Sequence, residues 1–163
     1  GGWELRPSIF RTITRDFISI DQLNEGKANS AGATLEARYQ GLEWDLDLGY
    51  SYLETKINKY NDTQAPFTPQ HAATMSLAKK IGDSTVSIRG RAQSQIFSNY
   101  NEPEGKTLPG HTVWDFSYQK DILGLQGRIA ITNLTDQNLV LISGGNEFQM
   151  PQRTIYFSVS KDL

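Results

Sequence analysis

The most constraining feature of this 163-residue chain is a period-two alternation of apolar and polar residues that recurs from segment to segment. Successive side chains of a β-strand point to opposite faces of a sheet, whereas an amphipathic helix repeats its apolar residues about every 3.6 positions. The alternation therefore predicts an all-β protein. In the segment 43–52, for example, the apolar positions are Trp44, Leu46, Leu48, Tyr50 and Tyr52.

The alternation and the turn residues between segments predict about eight antiparallel strands. In the first of them, Arg11 and Arg15 share a face with Ile9, Ile13 and Phe17, so the phase of that strand is the least defined. The predicted strands are 7–20, 33–40, 43–52, 70–81, 84–97, 111–122, 125–134 and 153–163.

The connections between these strands alternate between short and long. Two-residue turns fix which residues of the joined strands face each other. Short turns are predicted at Gly41-Leu42, Gly82-Asp83 and Leu123-Gly124, and long polar loops near 21–31, 58–69, 98–110 and 135–152. The turns predict that Tyr39 faces Trp44, Arg38 faces Asp45, Leu77 faces Ile88, and Tyr118 faces Ile129.

Composition limits the function classes that the chain can serve. Hydrophobic residues make up 37% of it, and no run of about 18 apolar residues occurs, which excludes a membrane-spanning helix. A transmembrane β-barrel is not excluded, because only every second residue of its strands needs to be apolar. The net charge of −2 is spread along the chain and indicates no nucleic-acid-binding face. With no cysteines, disulfides and thiolate chemistry are excluded.

The alternation alone does not say whether the apolar faces point inward, as in a soluble barrel, or outward toward lipid. Three features favour lipid. Loops are long at one end of the strands and tight at the other, and aromatic residues such as Tyr39, Trp44 and Trp114 lie near strand ends. Tilted strands of about ten residues also span about 23 Å, which matches the apolar band of an outer-membrane barrel. A soluble ligand-binding barrel or sandwich remains the alternative.

Four segments then carry short motifs in a characteristic order and spacing. They are Pro69-Gln70-His71, Leu108-Pro109-Gly110-His111-Thr112-Val113-Trp114-Asp115, Asn133-Leu134-Thr135-Asp136 and Met150-Pro151-Gln152-Arg153-Thr154. Together they resemble the end of the barrel of TonB-dependent outer-membrane receptors, and the segments 10–20 and 32–36 resemble upstream strands of that family. Gln152 and Leu163 depart from the Gly and the terminal Phe that the family usually has there.

The resemblance implies an antiparallel transmembrane β-barrel segment over 1–163, with short periplasmic turns and long extracellular loops. The family's barrels have about 22 strands around a plug, and no plug domain or TonB-interacting segment is recognisable in this chain. The implied location is the bacterial outer membrane. The implied partners are outer-membrane lipid, the remainder of the receptor barrel and its plug, and TonB only through that plug; no nucleic-acid partner is expected.

The function implied by the resemblance is the import of a ferric siderophore, vitamin B12 or a similar bulky nutrient. The alternative is a self-contained eight-stranded outer-membrane barrel with a structural or adhesive role and no transport. The residues that precede Gly1 in the gene would discriminate between the two.

Five residues are candidates for ligand contact. Arg89 and Arg91 share a polar face, with Arg128 on a nearby strand, and are interpreted either as an anion-contacting patch or as a solvated barrel wall. Tyr60, Phe67 and Tyr100 lie in long loops, where aromatic side chains can hold a ligand or simply pack the loop.

No catalytic or metal-binding arrangement is recognisable. His71 and His111 each follow a loop without a neighbouring ligand-type residue at metal spacing, so both are interpreted as structural. Asp45 and Asp47 share a face and are interpreted as barrel-wall charges rather than as an acid–base pair. The serines lack a His/Asp set. We therefore expect neither an enzyme nor a cofactor.

Overall fold

The chain folds into antiparallel β-structure, as the alternation predicts. The computed structural model describes residues 1–16, 26–57, 63–97, 107–143 and 146–161. No helix in these ranges is long and apolar enough to cross a membrane. The strands are β1 (Gly2–Thr14), β2 (Ala28–Gln40), β3 (Trp44–Ile57), β4 (Thr63–Gln64), β5 (His71–Ile81), β6 (Ser84–Gln93), β7 (Ile96–Phe97), β8 (Thr107–Leu108), β9 (His111–Ile122), β10 (Leu125–Thr132), β11 (Val140–Ser143), β12 (Asn146–Gln149) and β13 (Thr154–Lys161).

Eight strands form one continuous sheet in the order β1-β2-β3-β5-β6-β9-β10-β13, which confirms the predicted eight antiparallel strands. β4 adds to the end of β3, and the ribbons β7–β8 and β11–β12 stand within two of the long connections. β1 and β13 are the two edges of the sheet. Among the described residues no pairing joins them, so the sheet is open and not the closed small barrel of the alternative.

Two of the three predicted hairpin registers are confirmed. Leu77 pairs with Ile88 across the turn at Gly82-Asp83, and Tyr118 pairs with Ile129 across the turn at Leu123-Gly124. In these turns Gly82, Leu123 and Gly124 have positive φ, the conformation that the tight turns of β-hairpins require.

The predicted register of the first hairpin is wrong by two residues. Tyr39 pairs with Leu46 rather than Trp44, and Arg38 pairs with Asp47 rather than Asp45. The cause is the position of the turn, because the Gly41 N–H donates to the Trp44 carbonyl at 2.8 Å and leaves Leu42 and Glu43 as the turn residues. A shift of two keeps every side chain on its predicted face, since side chains alternate with a period of two.

Strand β1 lies nearer the start of the chain than predicted. It runs from Gly2 to Thr14 rather than over 7–20, and it pairs with the full length of β2. Residues 17–20 lie outside the described part of the chain. β2 and β3 are also longer than predicted, beginning at Ala28 and ending at Ile57 respectively. The length of these strands depends on the neighbouring strand with which they pair. The local alternation of residues does not show that neighbour.

Two other strands end earlier than predicted. β10 ends at Thr132 because Asn133 has a φ of 51°, which is left-handed and incompatible with a strand. β6 ends at Gln93, and Ile96–Phe97 turns away to pair with Thr107–Leu108.

No further layer of the described structure covers the apolar face of the sheet. Ile9 is 88% exposed and Phe157 is 75% exposed, so large apolar side chains lack packing partners. Exposed apolar surface of this extent indicates contact with lipid or with more protein. Buried apolar residues in the described ranges include Ala28, Ile57, Ala65 and Val113, and the first three cluster where β4 joins β3.

Candidate functional site

Most charged side chains of the sheet lie on one face, which we call the polar face. The pairing register aligns them across strands: Arg38 is opposite Asp47, and Arg89 lies between Ser76 on one side and Asp115 on the other. The polar residues that were predicted to share a face therefore do so from β2 to β9. The charged members discussed below are Glu4, Arg6, Glu36, Arg38, Asp47, Arg89, Arg91, Asp115 and Arg128.

At the β1–β3 side of this face the charges are paired. Arg38 Nε donates to Asp47 Oδ1 at 2.5 Å, and Arg6 Nη2 lies 2.7 Å from Glu4 Oε1. These pairs and Glu36 line an open cleft of about 310 Å³. All four paired side chains are about half exposed, so the pairs contribute little stability and mainly fix the position of the charges.

Toward β6 and β9, Asp115 connects two elements. Its Oδ2 accepts a hydrogen bond from Arg91 Nη2 at 3.0 Å, and its Oδ1 accepts one from the Asn133 N–H at 3.0 Å. The Asp115 side chain is 21% exposed, against 58% for that of Arg91. The carboxylate therefore neutralises Arg91 and at the same time fixes the end of β10.

Arg89 and Arg128 lie in a different environment. Within the described ranges neither guanidinium has a hydrogen-bond or ion-pair partner. Both line one cleft of about 160 Å³, together with Asp115 and the hydroxyl-bearing residues Ser76, Ser87, Ser117 and Thr132. We call it the arginine cleft.

Asn133 organises the end of β10 where the last long connection begins. Its Nδ2 donates to the Gln137 carbonyl at 2.8 Å, and its Oδ1 accepts from the Gln137 N–H at 2.9 Å. Asn133 is 4% exposed, and nearby Asp136 Oδ1 accepts from the Arg153 N–H at 2.8 Å. The sequence motif contained both residues, but only the fold shows that they tie the connection to the sheet.

Beside this network is a cleft of about 390 Å³ at the same end of the strands. Gln93 and His111, which pair across β6 and β9, lie on one side of it, and Gln137 and Asn138 lie on another. Apolar side chains, including that of Ile96, complete its lining. The mixture of apolar wall and a few polar groups is typical of ligand sites, and sequence reasoning had assigned His111 no such surroundings.

The predicted site residues are only partly brought together. Arg89 and Arg91 share the polar face, but Arg91 is already paired with Asp115. Phe67 lines none of the clefts described here; it is 39% exposed with a φ of 57°, and its N–H donates to the Phe97 carbonyl at 2.8 Å. Tyr60 and Tyr100 lie outside the described residues.

His71 lies on the opposite, apolar face. Its Nδ1 hydrogen-bonds to Tyr50 Oη at 2.8 Å, and its ring packs 5.2 Å from that of Tyr52. This environment fits the structural role predicted for it. In the described ranges, no three His, Asp or Glu side chains converge in the way that metal ligands do.

The chain was compared with models of protein families and with curated proteins. Residues 1–134 match the family model described as TonB dependent receptor-like, beta-barrel. The chain matches none of the curated proteins with which it was compared.

Three solved structures of similar fold are each much longer than this chain. The siderophore receptor PiuA from Acinetobacter baumannii is 21% identical with a TM-score of 0.83, over 96% of this chain and 26% of PiuA. The ferric yersiniabactin uptake receptor FyuA from Yersinia pestis is 17% identical with a TM-score of 0.79, over 94% of this chain and 26% of FyuA. The ferric-catecholate import receptor Fiu from E. coli K12 is 20% identical with a TM-score of 0.79, over 96% of this chain and 23% of Fiu. The chain thus spans about a quarter of the length of these structures, and at such identities the likeness shows the fold.

Proposed function

The chain belongs to the TonB-dependent receptor β-barrel family, and we propose that it forms part of the wall of an outer-membrane receptor that imports a ferric siderophore, vitamin B12 or a similar bulky nutrient. The family match over 1–134 is the observation that carries this proposal. The family and the similar structures are transport receptors rather than enzymes.

The open sheet supports an assembly larger than this chain. Both β1 and β13 leave one side without a strand partner in the described structure. Unpaired N–H and C=O groups are prohibitively costly in lipid, where no water can satisfy them. Further strands of the same receptor barrel would pair with both edges. In such a receptor the partners of this segment are the remaining barrel, the plug and outer-membrane lipid, with TonB acting through the plug.

The face assignment follows from the same reasoning. The apolar face carries side chains such as Ile9 and Phe157 that lack packing partners in the described structure, and lipid would cover them. The polar face would then line the barrel interior. On this basis the arginines Arg89 and Arg91 face the interior. Tyr60, Phe67 and Tyr100 are our candidates for ligand contact, because the sequence predicts them in long loops, which would lie at the outer mouth.

The proposal is tested by deleting the gene of the whole receptor from its bacterium. Uptake of radiolabelled iron from a panel of ferric siderophores, and of labelled vitamin B12, is then measured. We expect uptake of one ligand to be lost, restored by the receptor gene on a plasmid, and lost equally in a strain without TonB. Unchanged uptake of every ligand tested, under conditions where the receptor is present in the parent strain's outer membrane, would contradict it.

The candidate contact residues need a separate measurement in the full receptor. With the transported ligand identified, we expect Tyr60→Ala or Tyr100→Ala to weaken its binding and to leave the amount of assembled receptor unchanged. The matched control is Tyr118→Ala, since Tyr118 lies on the apolar face of β9, toward the tight turn at Leu123-Gly124. Equal affinities for all three variants would show that the loop aromatics only pack the loops.

A further inference from the structure

The arginine cleft has an excess of positive charge. Arg89 and Arg128 line it, and Arg91 lies next to it on the polar face of β6. Asp115 of β9 is the carboxylate in its described lining. Although Arg89 is opposite Asp115 in the register, the two oxygens of that carboxylate accept from Arg91 and from the Asn133 N–H. Arg89 and Arg128 therefore have no ion-pair partner in the described structure.

The cleft also offers neutral donors at the same place. Ser87 Oγ and Ser117 Oγ are 2.7 Å apart, so one hydroxyl donates to the other and the accepting hydroxyl keeps its own hydrogen for a further acceptor. Ser76 and Thr132 add hydroxyl groups to the lining. Guanidinium groups together with hydroxyl donors are the groups that bind carboxylate and phosphate oxygens.

The size of the cleft limits what it can hold. Its volume of about 160 Å³ lies below the roughly 300–1,000 Å³ of sites that enclose a whole small molecule. It is large enough for one ionised group. A charged group that leaves water is stabilised mainly when it is paired, so an anion here would offset two arginines facing the interior of a filled barrel.

We propose that Arg89 and Arg128, with the hydroxyl groups of the arginine cleft, bind a single oxyanion group, a carboxylate or a phosphate. The inference rests on the proposed function in that the polar face must line the barrel interior. An oxyanion group of this kind can come from two sources. It is carried either by a small anionic molecule that enters the barrel or by an acidic side chain of the protein segment that fills it.

The test uses the full receptor, purified in detergent, and phenylglyoxal, which reacts with accessible guanidinium groups. Peptide mass spectrometry follows the rates at Arg89 and Arg128, with inorganic phosphate as the probe and chloride at equal ionic strength as the control. If a free anion fills the cleft, both arginines react fast in chloride and several-fold more slowly in phosphate. Arg89→Gln should remove most of the protection at Arg128, and Arg6→Gln, which changes the separate Arg6–Glu4 pair, should leave it intact.

If an internal acidic side chain fills the cleft, both arginines react slowly in either salt. In the Arg89→Lys receptor a carbodiimide should then couple the new amine to a carboxylate other than Asp115, which peptide mass spectrometry identifies. Fast reaction that phosphate does not slow, or slow reaction with no such coupling, overturns the site. Because neither readout depends on transport, a receptor that imports nothing but passes these tests would refute the proposed function and leave the anion site standing.

Discussion

The Asp115 carboxylate accepts the backbone N–H of Asn133 at 3.0 Å, so that a side chain of β9 fixes the residue at which β10 ends. Asn133 continues the network by binding both the N–H and the carbonyl of Gln137 through its amide. Its left-handed φ of 51° turns the chain out of the sheet at this point. The network therefore sets the direction in which the last long connection leaves the sheet.

Replacing Asn133 with Ala should lower the free energy of unfolding of the receptor by about 3–4 kcal/mol, from two lost hydrogen bonds of about 1 kcal/mol each and about 1–2 kcal/mol for a left-handed Ala. Asn133→Gly keeps the conformational freedom and loses only the side-chain bonds, so it should cost less. Unfolding by denaturant measures both. The matched control is Asn138→Ala, because Asn138 is exposed and has no side-chain bond in the described structure. Equal stabilities for the Ala and Gly variants would show that the left-handed backbone adds no cost.

The sequence predicted hairpin registers only where a turn carries a conformational signal. Gly82 and Gly124 have φ values of 57° and 79°, which glycine adopts readily, so they mark the centres of their turns. Gly41 has no positive φ and instead closes the hairpin by donating to Trp44. Leu42 and Glu43 carry no comparable turn preference, and for that reason the first register was misplaced by two residues.

The face of Arg89 and Arg91 could be predicted from the sequence, but their partners could not. A period of two puts residues 89 and 91 on one side of any strand. Which carboxylate they meet depends on the register between β6 and β9, and a long connection rather than a tight turn joins these strands. A long connection does not fix register, so the Arg91–Asp115 pair and the unpaired Arg89 emerged only from the fold.

Gly90 makes room for the Trp114 ring on the apolar face. A Cβ built at Gly90 would lie 2.5 Å from Trp114 Cζ3, too close for any packed atom. Gly90→Ala should therefore displace the indole and destabilise the receptor by about 1–3 kcal/mol, the usual cost of overpacking. Gly127→Ala is the control, since the nearest atom to its added Cβ is the Lys120 carbonyl oxygen at 3.8 Å. Denaturant unfolding compares the two, and equal losses would mean that the Trp114 contact is not the cause.

The apolar face is expected to contact lipid. Leu48 is 39% exposed on that face, and Leu48→Arg should reduce the stability of the barrel in lipid vesicles by about 2–4 kcal/mol if the residue lies near the bilayer midplane. Thr34→Arg, on the polar face, is the matched control and should cost much less. The measurement is urea titration of folding into vesicles. A larger loss for the polar-face variant would reverse the assignment of the two faces.

The tight turns should face the periplasm and the long connections the cell exterior. Successive strands of the main sheet are antiparallel, so its tight turns in the described structure all lie at the same end of the sheet. These turns are at Leu42-Glu43, Gly82-Asp83 and Leu123-Gly124. Epitope tags inserted near Asn61 and Asn101, in the long connections, should bind antibody on intact cells. A tag at Gly82 should bind only after the outer membrane is permeabilised, and equal binding in permeabilised cells confirms that all three receptors are present. Antibody binding at Gly82 on intact cells would invert the orientation, and it would also place the cleft beside Gln93 and His111 at the periplasmic end, where it could not receive a ligand from outside.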